Sequence, residues 1–267
     1  MYGVPSGAVT YTRASSAADD EPLPWRRRAP RHWRNDTQPH DTEPPGDEVV
    51  PFNNVRRRAA TALLASKRTA PHALTLVAAD FSAIERVRSK GRLTALPFVA
   101  RAVIDALHEF PFLNATVDGD ARLLHRGVNL GIAVDLDYEG LVVPVVGGAD
   151  GLRLRDLSDA IRDVAARARS KRLVPDDLAG GTFTITNPGA AGTWISFPVL
   201  NAPQVGILAT DGVAKTVVAD ENEGMRIAPV ANLCLTFDHR AVDGAYAGSF
   251  LRRLREIVEQ RDWAAEL

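Results

Sequence analysis

A histidine followed by an Asp-Gly pair is the feature of this sequence that best fits acid–base chemistry. His239 follows a strand-like run, residues 231–237, and Asp243 and Gly244 come four and five residues after it. Because an imidazole titrates near neutral pH, a histidine held at a strand end can take a proton from an attacking nucleophile. A histidine in a polar turn is the alternative interpretation. The motif alone does not decide between them, so the second half of an active site has to come from elsewhere.

The apolar pattern predicts the elements that would hold such a site. The residues on either side of the histidine motif favour a strand over 231–237 and a helix over 246–258. Among the further predicted strands, those over 128–135, 141–146 and 182–185 are rich in Val, Leu, Ile and Thr. Strands and helices mixed in this order, with several hairpins, indicate an α/β fold with a mixed sheet covered by helices in two layers.

Composition excludes several classes of protein. The chain has 267 residues, 45% of them hydrophobic, with a net charge of −1, which gives no reason to expect nucleic acid as a partner. No apolar run approaches the roughly 18–20 residues that span a bilayer, and the N-terminus lacks the features of a signal peptide, so we expect a cytoplasmic protein. The single cysteine, Cys234, excludes an internal disulfide and a cysteine-rich metal site, and we expect an inert buried thiol and no metal.

The chain divides by composition into a tail and one domain. Residues 1–48 are rich in Pro, Ser, Thr, Asp and Arg, and such a segment is predicted to be disordered or arm-like. Residues 24–34 carry two tryptophans among arginines; they fit a docking segment for a partner or a neighbouring subunit, with a solvated tail as the alternative. From residue 49 to 267 the pattern is that of one globular domain.

Several blocks of the chain, in order, resemble the catalytic domain of the dihydrolipoyl acyltransferases of 2-oxoacid dehydrogenase complexes, which is similar in turn to chloramphenicol acetyltransferase. The blocks follow an arginine-containing first helix and are residues 71–72, 110–114, 140–145, 180–189, 203–208 and 238–240. The resemblance covers residues 49–267. It implies a two-layer fold with a mixed sheet and a homotrimer. It also implies active-site channels between subunits, entered by coenzyme A from one side and by the acyl acceptor from the other.

The resemblance also assigns roles. His239 corresponds to the general base, Thr186 to the hydroxyl that donates to the oxyanion, and Asp243 to the aspartate that helps orient the histidine loop. In the family the base and the oxyanion donor come from different subunits. The positions that fall in the substrate and cofactor site are Asn187, Gly189, His72 and Asp238. The positions that fall in its structural support are Arg56, Arg240 and Gly244.

Two of these assignments have rivals within the sequence. Arg56 could form a salt bridge that holds Asp243, but Arg57 and Arg58 are equally placed along the first helix. His72 follows Pro71 and could line the channel, although a core or interface histidine fits the same position.

No lysine of the chain lies in the Asp-Lys-Ala or Asp-Lys-Val hairpin that lipoylation uses, so no covalent lipoyl group is expected. We therefore predict an enzyme that transfers an acetyl group from acetyl-CoA to a small-molecule hydroxyl, as in stand-alone relatives from antibiotic biosynthesis. The specific hypothesis is the primary alcohol of a tetronate. Two alternatives stay open: the acyltransferase core of a dehydrogenase complex whose lipoyl domain is on another chain, and a non-catalytic trimeric scaffold.

Overall fold

The computed structural model describes residues 48–219 and 224–267 of the chain. Residues Pro51–Leu267 form a compact unit. The predicted tail, residues 1–48, lies outside the described residues except for its last position. Its arm-like character and its docking role therefore stay predictions.

The described residues contain five α-helices and eleven strands. The helices are α1 (Asn54–Thr69), α2 (Ser82–Gly91), α3 (Leu96–Glu109), α4 (Leu154–Arg169) and α5 (Gly244–Gln260). The strands are β1 (His72–Asp80), β2 (Ala115–Asp118), β3 (Ala121–Leu124), β4 (Leu130–Ile132), β5 (Val134–Asp135), β6 (Leu141–Val142), β7 (Val145–Val146), β8 (Phe183–Thr186), β9 (Gly206–Thr210), β10 (Ala214–Ala219) and β11 (Met225–Asp238). Among the described residues, no helix has both the length and the apolar character needed to cross a membrane.

Seven strands form one mixed sheet in the order β1-β11-β9-β8-β4-β7, with β10 paired to the first half of β11. β8 runs parallel to β4 and β9, whereas β11 runs antiparallel to β1, β9 and β10. The pairs β2–β3 and β5–β6 form two small separate hairpins. The predicted mixed sheet with helices is confirmed.

Helices α2 to α5 bury their apolar sides in one core, whereas only Ser66 of α1 is buried. α3 is buried along most of its length, and Phe98, Ile104 and Leu107 are among its residues with 1% exposure or less. α5 packs on β1 and α3, and α3 packs on α4. Apolar residues three and four apart place one face of each of α2 to α5 toward this core, and their burial is the main favourable term in folding.

Two predicted strands are each broken in the structure. Residues 128–135 form β4 and β5, and residues 141–146 form β6 and β7. Pro144 has no N–H to donate to a sheet, and its carbonyl accepts the N–H of Ile132 at 2.9 Å. The chain therefore leaves the β5–β6 hairpin at this proline and joins the main sheet as β7.

β11 is longer than predicted, and α5 begins earlier. The strand starts at Met225 rather than at residue 231, because β10 supplies a partner for its first half. The helix starts at Gly244 rather than at Tyr246. The loop that carries the histidine motif is therefore short and is held between two regular elements.

The C-terminal tryptophan gives a test of the core. Trp263 is 1% exposed, its ring meets Phe98 edge-on at 5.3 Å, and its Nε1 donates to the carbonyl of Val258 at 3.1 Å. Trp263→Ala should lower the free energy of unfolding by about 3–5 kcal/mol because it leaves a cavity. Trp263→Phe, which keeps most of the ring contact, should cost less than half as much. Thermal and urea unfolding measure both, and equal midpoints for Trp263→Ala and the wild type would contradict this packing.

Candidate active site

The loop after β11 presents the predicted base. The backbone N–H of His239 donates to the carbonyl of Pro71 at 3.0 Å. The N–H groups of Ala241 and Val242 both donate to the carbonyl of Asp238, at 2.9 and 3.2 Å. The His239 side chain itself is exposed. The backbone of the loop is thus held by hydrogen bonds while the imidazole stays accessible.

An ion pair between the buried carboxylate of Asp238 and the exposed side chain of Arg240 also holds this loop. Asp238 is 2% exposed, and its carboxylate accepts from the backbone N–H of Arg240 at 3.0 Å. The Arg240 side chain closes the pair, with Nε at 3.0 Å from one carboxylate oxygen and Nη2 at 2.6 Å from the other. The carboxylate raises the pKa of Arg240 by hydrogen bonding. The sequence prediction assigns Asp238 to substrate or cofactor binding. In the structure its carboxylate instead forms an ion pair with Arg240.

Asp243 and Gly244 join the loop to α5. Asp243 occupies the N-cap position, and its carbonyl accepts the N–H of Ala247 at 3.0 Å. Its side chain is exposed and does not cap the helix. A Cβ added to Gly244 would meet no atom within 4 Å, so close packing in this chain does not require glycine there. The supporting role predicted for Gly244 has no steric basis in the single chain.

Arg56 does not hold Asp243. Its Nη2 donates to the carbonyl of Tyr138 at 2.8 Å, and α1 packs beside β6. Arg57 bonds to the Asn54 side chain instead. No ion pair joins Asp243 to these arginines, or to Arg58, within the described part of the chain. The predicted Arg56–Asp243 salt bridge is therefore wrong for the single chain.

A cavity of about 700 Å³ opens in front of His239. Its walls come from the histidine loop, the tip of the β2–β3 hairpin and the first turn of α5. The lining residues are Phe112, Val117, Gly119, Asp120, Ala121, Arg122, His239, Arg240, Ala241, Val242, Asp243 and Tyr246. The cavity therefore brings two predicted catalytic residues, His239 and Asp243, to one surface.

An aromatic wall of this cavity is absent from the sequence predictions. The rings of Phe112 and Tyr246 stack at 5.3 Å, and the guanidinium of Arg122 lies 4.0 Å over the Phe112 ring. The N–H of Phe112 donates to the hydroxyl of Tyr246 at 3.1 Å, and burial raises the pKa of Tyr246. In the sequence, Phe112 is only one member of a matching block, and no local pattern marks Arg122 or Tyr246.

His72 lies behind the loop rather than in the cavity. It opens β1 opposite Asp238. Ser66 Oγ donates to the carbonyl of Leu200 at 2.7 Å, so in its 3.3 Å contact with His72 Nε2 the imidazole is the donor. His72 Nδ1 is buried with no partner among the described residues, and burial, then the charge of Lys67, lowers the pKa of His72. The predicted binding role of His72 has no support in this placement.

Thr186, the predicted oxyanion donor, lies far from His239 within one chain. It ends β8 and pairs with Ala209 of β9, which in turn pairs with Cys234 of β11. Cys234 precedes His239 by five residues, which is about 17 Å along an antiparallel strand, and two spacings between strands add about 10 Å sideways. The two side chains therefore cannot meet within a single chain.

Asn187 and Gly189 determine the backbone conformation of the segment after Thr186. The side-chain oxygen of Asn187 accepts the N–H of Gly189 at 3.2 Å, and a 3₁₀ turn follows. A Cβ on Gly189 would lie 2.7 Å from backbone atoms of Asp211 and Gly212, so glycine is required at this contact. Both residues shape the segment, and their predicted roles toward a ligand stay predictions.

A second buried carboxylate supports this region. Asp211 is 3% exposed and accepts from the hydroxyls of Thr193 and Ser196, both at 2.6 Å. The thiol of Cys234 lies 3.5 Å from it, and burial raises the pKa of Cys234 to about 11. The thiol is therefore protonated at neutral pH, which agrees with the inert thiol expected from the sequence. No group of three His, Cys, Asp or Glu side chains in the described ranges could hold a metal ion.

Comparison with known proteins places this chain and its fold in a family. Residues 44–264 match the family described as 2-oxoacid dehydrogenases acyltransferase (catalytic domain). The lipoamide acyltransferase component of the branched-chain alpha-keto acid dehydrogenase complex of Bacillus subtilis (strain 168) is 34% identical over 227 residues, which are 81% of this chain and 53% of that protein. The chain belongs to the family of 2-oxoacid dehydrogenase acyltransferase catalytic domains, and the resemblance found in the sequence is confirmed. It spans about half the length of that relative.

Solved structures agree with the family. Dihydrolipoamide acetyltransferase of Azotobacter vinelandii, studied for the role of a serine, a histidine and an asparagine in its catalytic mechanism, superposes with a TM-score of 0.77 at 30% identity. That match covers 80% of this chain and 92% of the other. The cubic core of the pyruvate dehydrogenase multienzyme complex superposes with a TM-score of 0.77 at 31% identity, with the same coverage of both chains. The chain is an acyltransferase catalytic domain by fold.

The ion pair inside the histidine loop can be tested directly. Asp238→Asn removes the charge but keeps the size, so Arg240 loses its partner and one buried hydrogen-bond acceptor is lost. The variant should be less stable by about 1.5–3 kcal/mol, the range for hydrogen bonds to charged groups. Thermal unfolding measures the loss. Asp243→Asn, at an exposed position without an ion pair, is the control and should unfold like the wild type. Equal stability of Asp238→Asn and this control would contradict the role assigned to the pair.

Proposed function

We propose that the chain catalyses acyl transfer between coenzyme A and a thiol of a dihydrolipoyl group, with His239 as the general base. The observation that carries this proposal is an exposed imidazole on a hydrogen-bonded loop that lines a cavity of about 700 Å³. The names of the relatives, which specify lipoamide or dihydrolipoamide acyl transfer, support this choice of reaction.

His239 would act on the proton of the acceptor. A thiol attacks a thioester well only as its proton leaves, and a neutral imidazole within hydrogen-bond reach takes that proton as the sulfur bonds to the carbonyl carbon. When the tetrahedral intermediate collapses, the bond to the leaving sulfur breaks and the imidazolium returns the proton to that sulfur. Such general-base catalysis contributes about 10²–10⁴-fold. Because the two thiols are chemically alike, the same residue serves both directions of transfer.

We assign the oxyanion donor to Thr186 of a second copy of the chain. The register of β8, β9 and β11 keeps Thr186 away from His239 of its own chain. A fixed hydroxyl directed at the tetrahedral oxygen is worth about 3–4 kcal/mol in comparable sites. Two copies must therefore share each site, and a homotrimer is the arrangement proposed. The similarity to a protein of a cubic core supports an oligomer.

The relative from Azotobacter vinelandii supports the choice of residues. The histidine studied in its catalytic mechanism precedes the asparagine by four positions, as His239 precedes Asp243. We assign Thr186 the place of its serine and Asp243 the place of its asparagine. Thr186 keeps the hydroxyl of the serine, whereas Asp243 keeps a side-chain oxygen acceptor but lacks the N–H donors of the asparagine amide.

A hydroxyl acceptor, which was the first prediction from the sequence, has no support among these relatives. That prediction depends on the missing lipoyl hairpin, and a lipoyl group on another chain would satisfy the same observation. Acetylation of a tetronate alcohol therefore stays a prediction without support. A non-catalytic scaffold explains neither the exposed base nor the cavity beside it.

The choice of acceptor can be measured. The protein is incubated with acetyl-CoA and either dihydrolipoamide or a small-molecule tetronate alcohol, and release of CoA and the mass of the product are followed. We expect acetyl-dihydrolipoamide and no ester. Transfer to the alcohol alone would show that the acceptor is a hydroxyl, as first predicted from the sequence, and not a thiol.

The base can be tested with a matched pair of histidine variants. His239→Ala should lower kcat by about 10²–10⁴-fold, because no other group at that position can take the proton. His108→Ala changes an exposed histidine in the last turn of α3 and should leave turnover unchanged. Near-normal turnover of His239→Ala, with an unchanged oligomer, would show that His239 is not the general base.

The oxyanion donor calls for a separate pair of variants. Thr186→Val keeps the shape but loses the hydroxyl, and kcat should fall by about 10²-fold with little change in KM. Thr186→Ser keeps the hydroxyl and should retain most of the activity. If the valine and serine variants behave alike, the hydroxyl does not stabilise the transition state.

A further inference from the structure

The histidine loop is also held by a residue from a distant part of the chain. Arg122 on β3 donates from Nη1 to the carbonyl of Ala241 at 2.8 Å. Ala241 comes two residues after His239. The other contacts of the loop described above come from the end of β11 and from Pro71. The hairpin therefore gives the loop a contact that neither β11 nor Pro71 provides.

The guanidinium of Arg122 is itself held in place. Its carbon atom Cζ lies 4.0 Å over the ring of Phe112, which stacks on Tyr246 at 5.3 Å. The hydroxyl of Tyr246 accepts the N–H of Phe112 at 3.1 Å. A planar guanidinium can lie flat on an aromatic ring and still donate hydrogen bonds in its plane. Arg122 therefore has two defined contacts, one with an aromatic stack and one with the loop.

We propose that Arg122 is a positioning residue for His239. By holding the Ala241 carbonyl, it fixes the peptides that follow the histidine against the wall built by the hairpin and by α5. The proposal depends on the function proposed above, since it concerns the placement of the base in that reaction. Displacement of a reacting group by about 1 Å can cost about 10²-fold in rate, so a single hydrogen bond to this loop can affect turnover.

A positioning role fits the contacts of Arg122 better than a role in binding an anionic substrate. One of its donors and one face of its guanidinium are already occupied by groups of the chain. Asp120 and Asp243 line the same cavity as Arg122 and Arg240, so the charged lining is balanced and gives no preference for an anion. The two roles differ in the kinetic constant that they change.

Kinetics of three variants test the proposal. Arg122→Met keeps an apolar side chain over Phe112 but loses the bond to Ala241, and it should lower kcat about tenfold with KM for acetyl-CoA and dihydrolipoamide almost unchanged. Arg122→Lys can still donate to the carbonyl and should recover part of that loss. Arg126→Met, at an exposed arginine just beyond the hairpin, is the matched control and should behave like the wild type.

A second measurement does not require activity. Hydrogen–deuterium exchange of peptides covering residues 238–247 should be faster in Arg122→Met than in the wild type, and unchanged in Arg126→Met. Unchanged exchange together with unchanged kcat would overturn the proposal. A tenfold rise in KM at constant kcat would also overturn it, because Arg122 would then bind substrate. If the wild type transfers no acyl group, the proposed function fails, and the exchange comparison alone decides whether Arg122 holds the loop.

Discussion

The pairing of the buried Asp238 carboxylate with Arg240 is the interaction on which the histidine site depends. β11 lies between β1 and β9 at this end, so the position of Asp238 is set by the sheet. A buried carboxylate without partners is costly, and here the backbone and side chain of Arg240 satisfy it. The chain must turn sharply to bring Arg240 back to it. That turn directs His239 away from the core and toward the cavity.

The two halves of the proposed site are built in the same physical way. On one side, Asp238 orders the histidine loop; on the other, Asp211 accepts hydroxyl and amide donors from the segment that follows the Thr186 turn. Each carboxylate is buried, and each is satisfied by neighbours close in sequence or across one loop. Groups that are fixed before a substrate arrives need little reorganisation in the transition state, which is where electrostatic catalysis gains most.

The sequence was sufficient to predict those elements that depend on residues close to one another in the chain. The strand before His239, the helix after it and the strand ending at Thr186 all follow from patterns a few residues long, and the mixed sheet follows from their order. The wrong predictions and the omissions come from long-range contacts. Arg122 meets a carbonyl 119 residues away, and Arg56 meets one 82 residues away, so neither partner can be read from nearby residues. Breaks in two predicted strands likewise depend on where Pro144 meets another part of the sheet.

The strand register that separates Thr186 from His239 within one chain would make activity depend on protein concentration. If the site is shared between chains as proposed, an isolated chain could be completely folded and still lack the functional pair, and pairing these residues would be an association equilibrium rather than a folding event. Dilution would then remove activity without unfolding any chain. Conversely, an oligomer mixed from chains defective in Thr186 and chains defective in His239 would contain some sites assembled from two intact halves. Defects in the two residues would complement each other between chains, although neither defect could be repaired within its own chain.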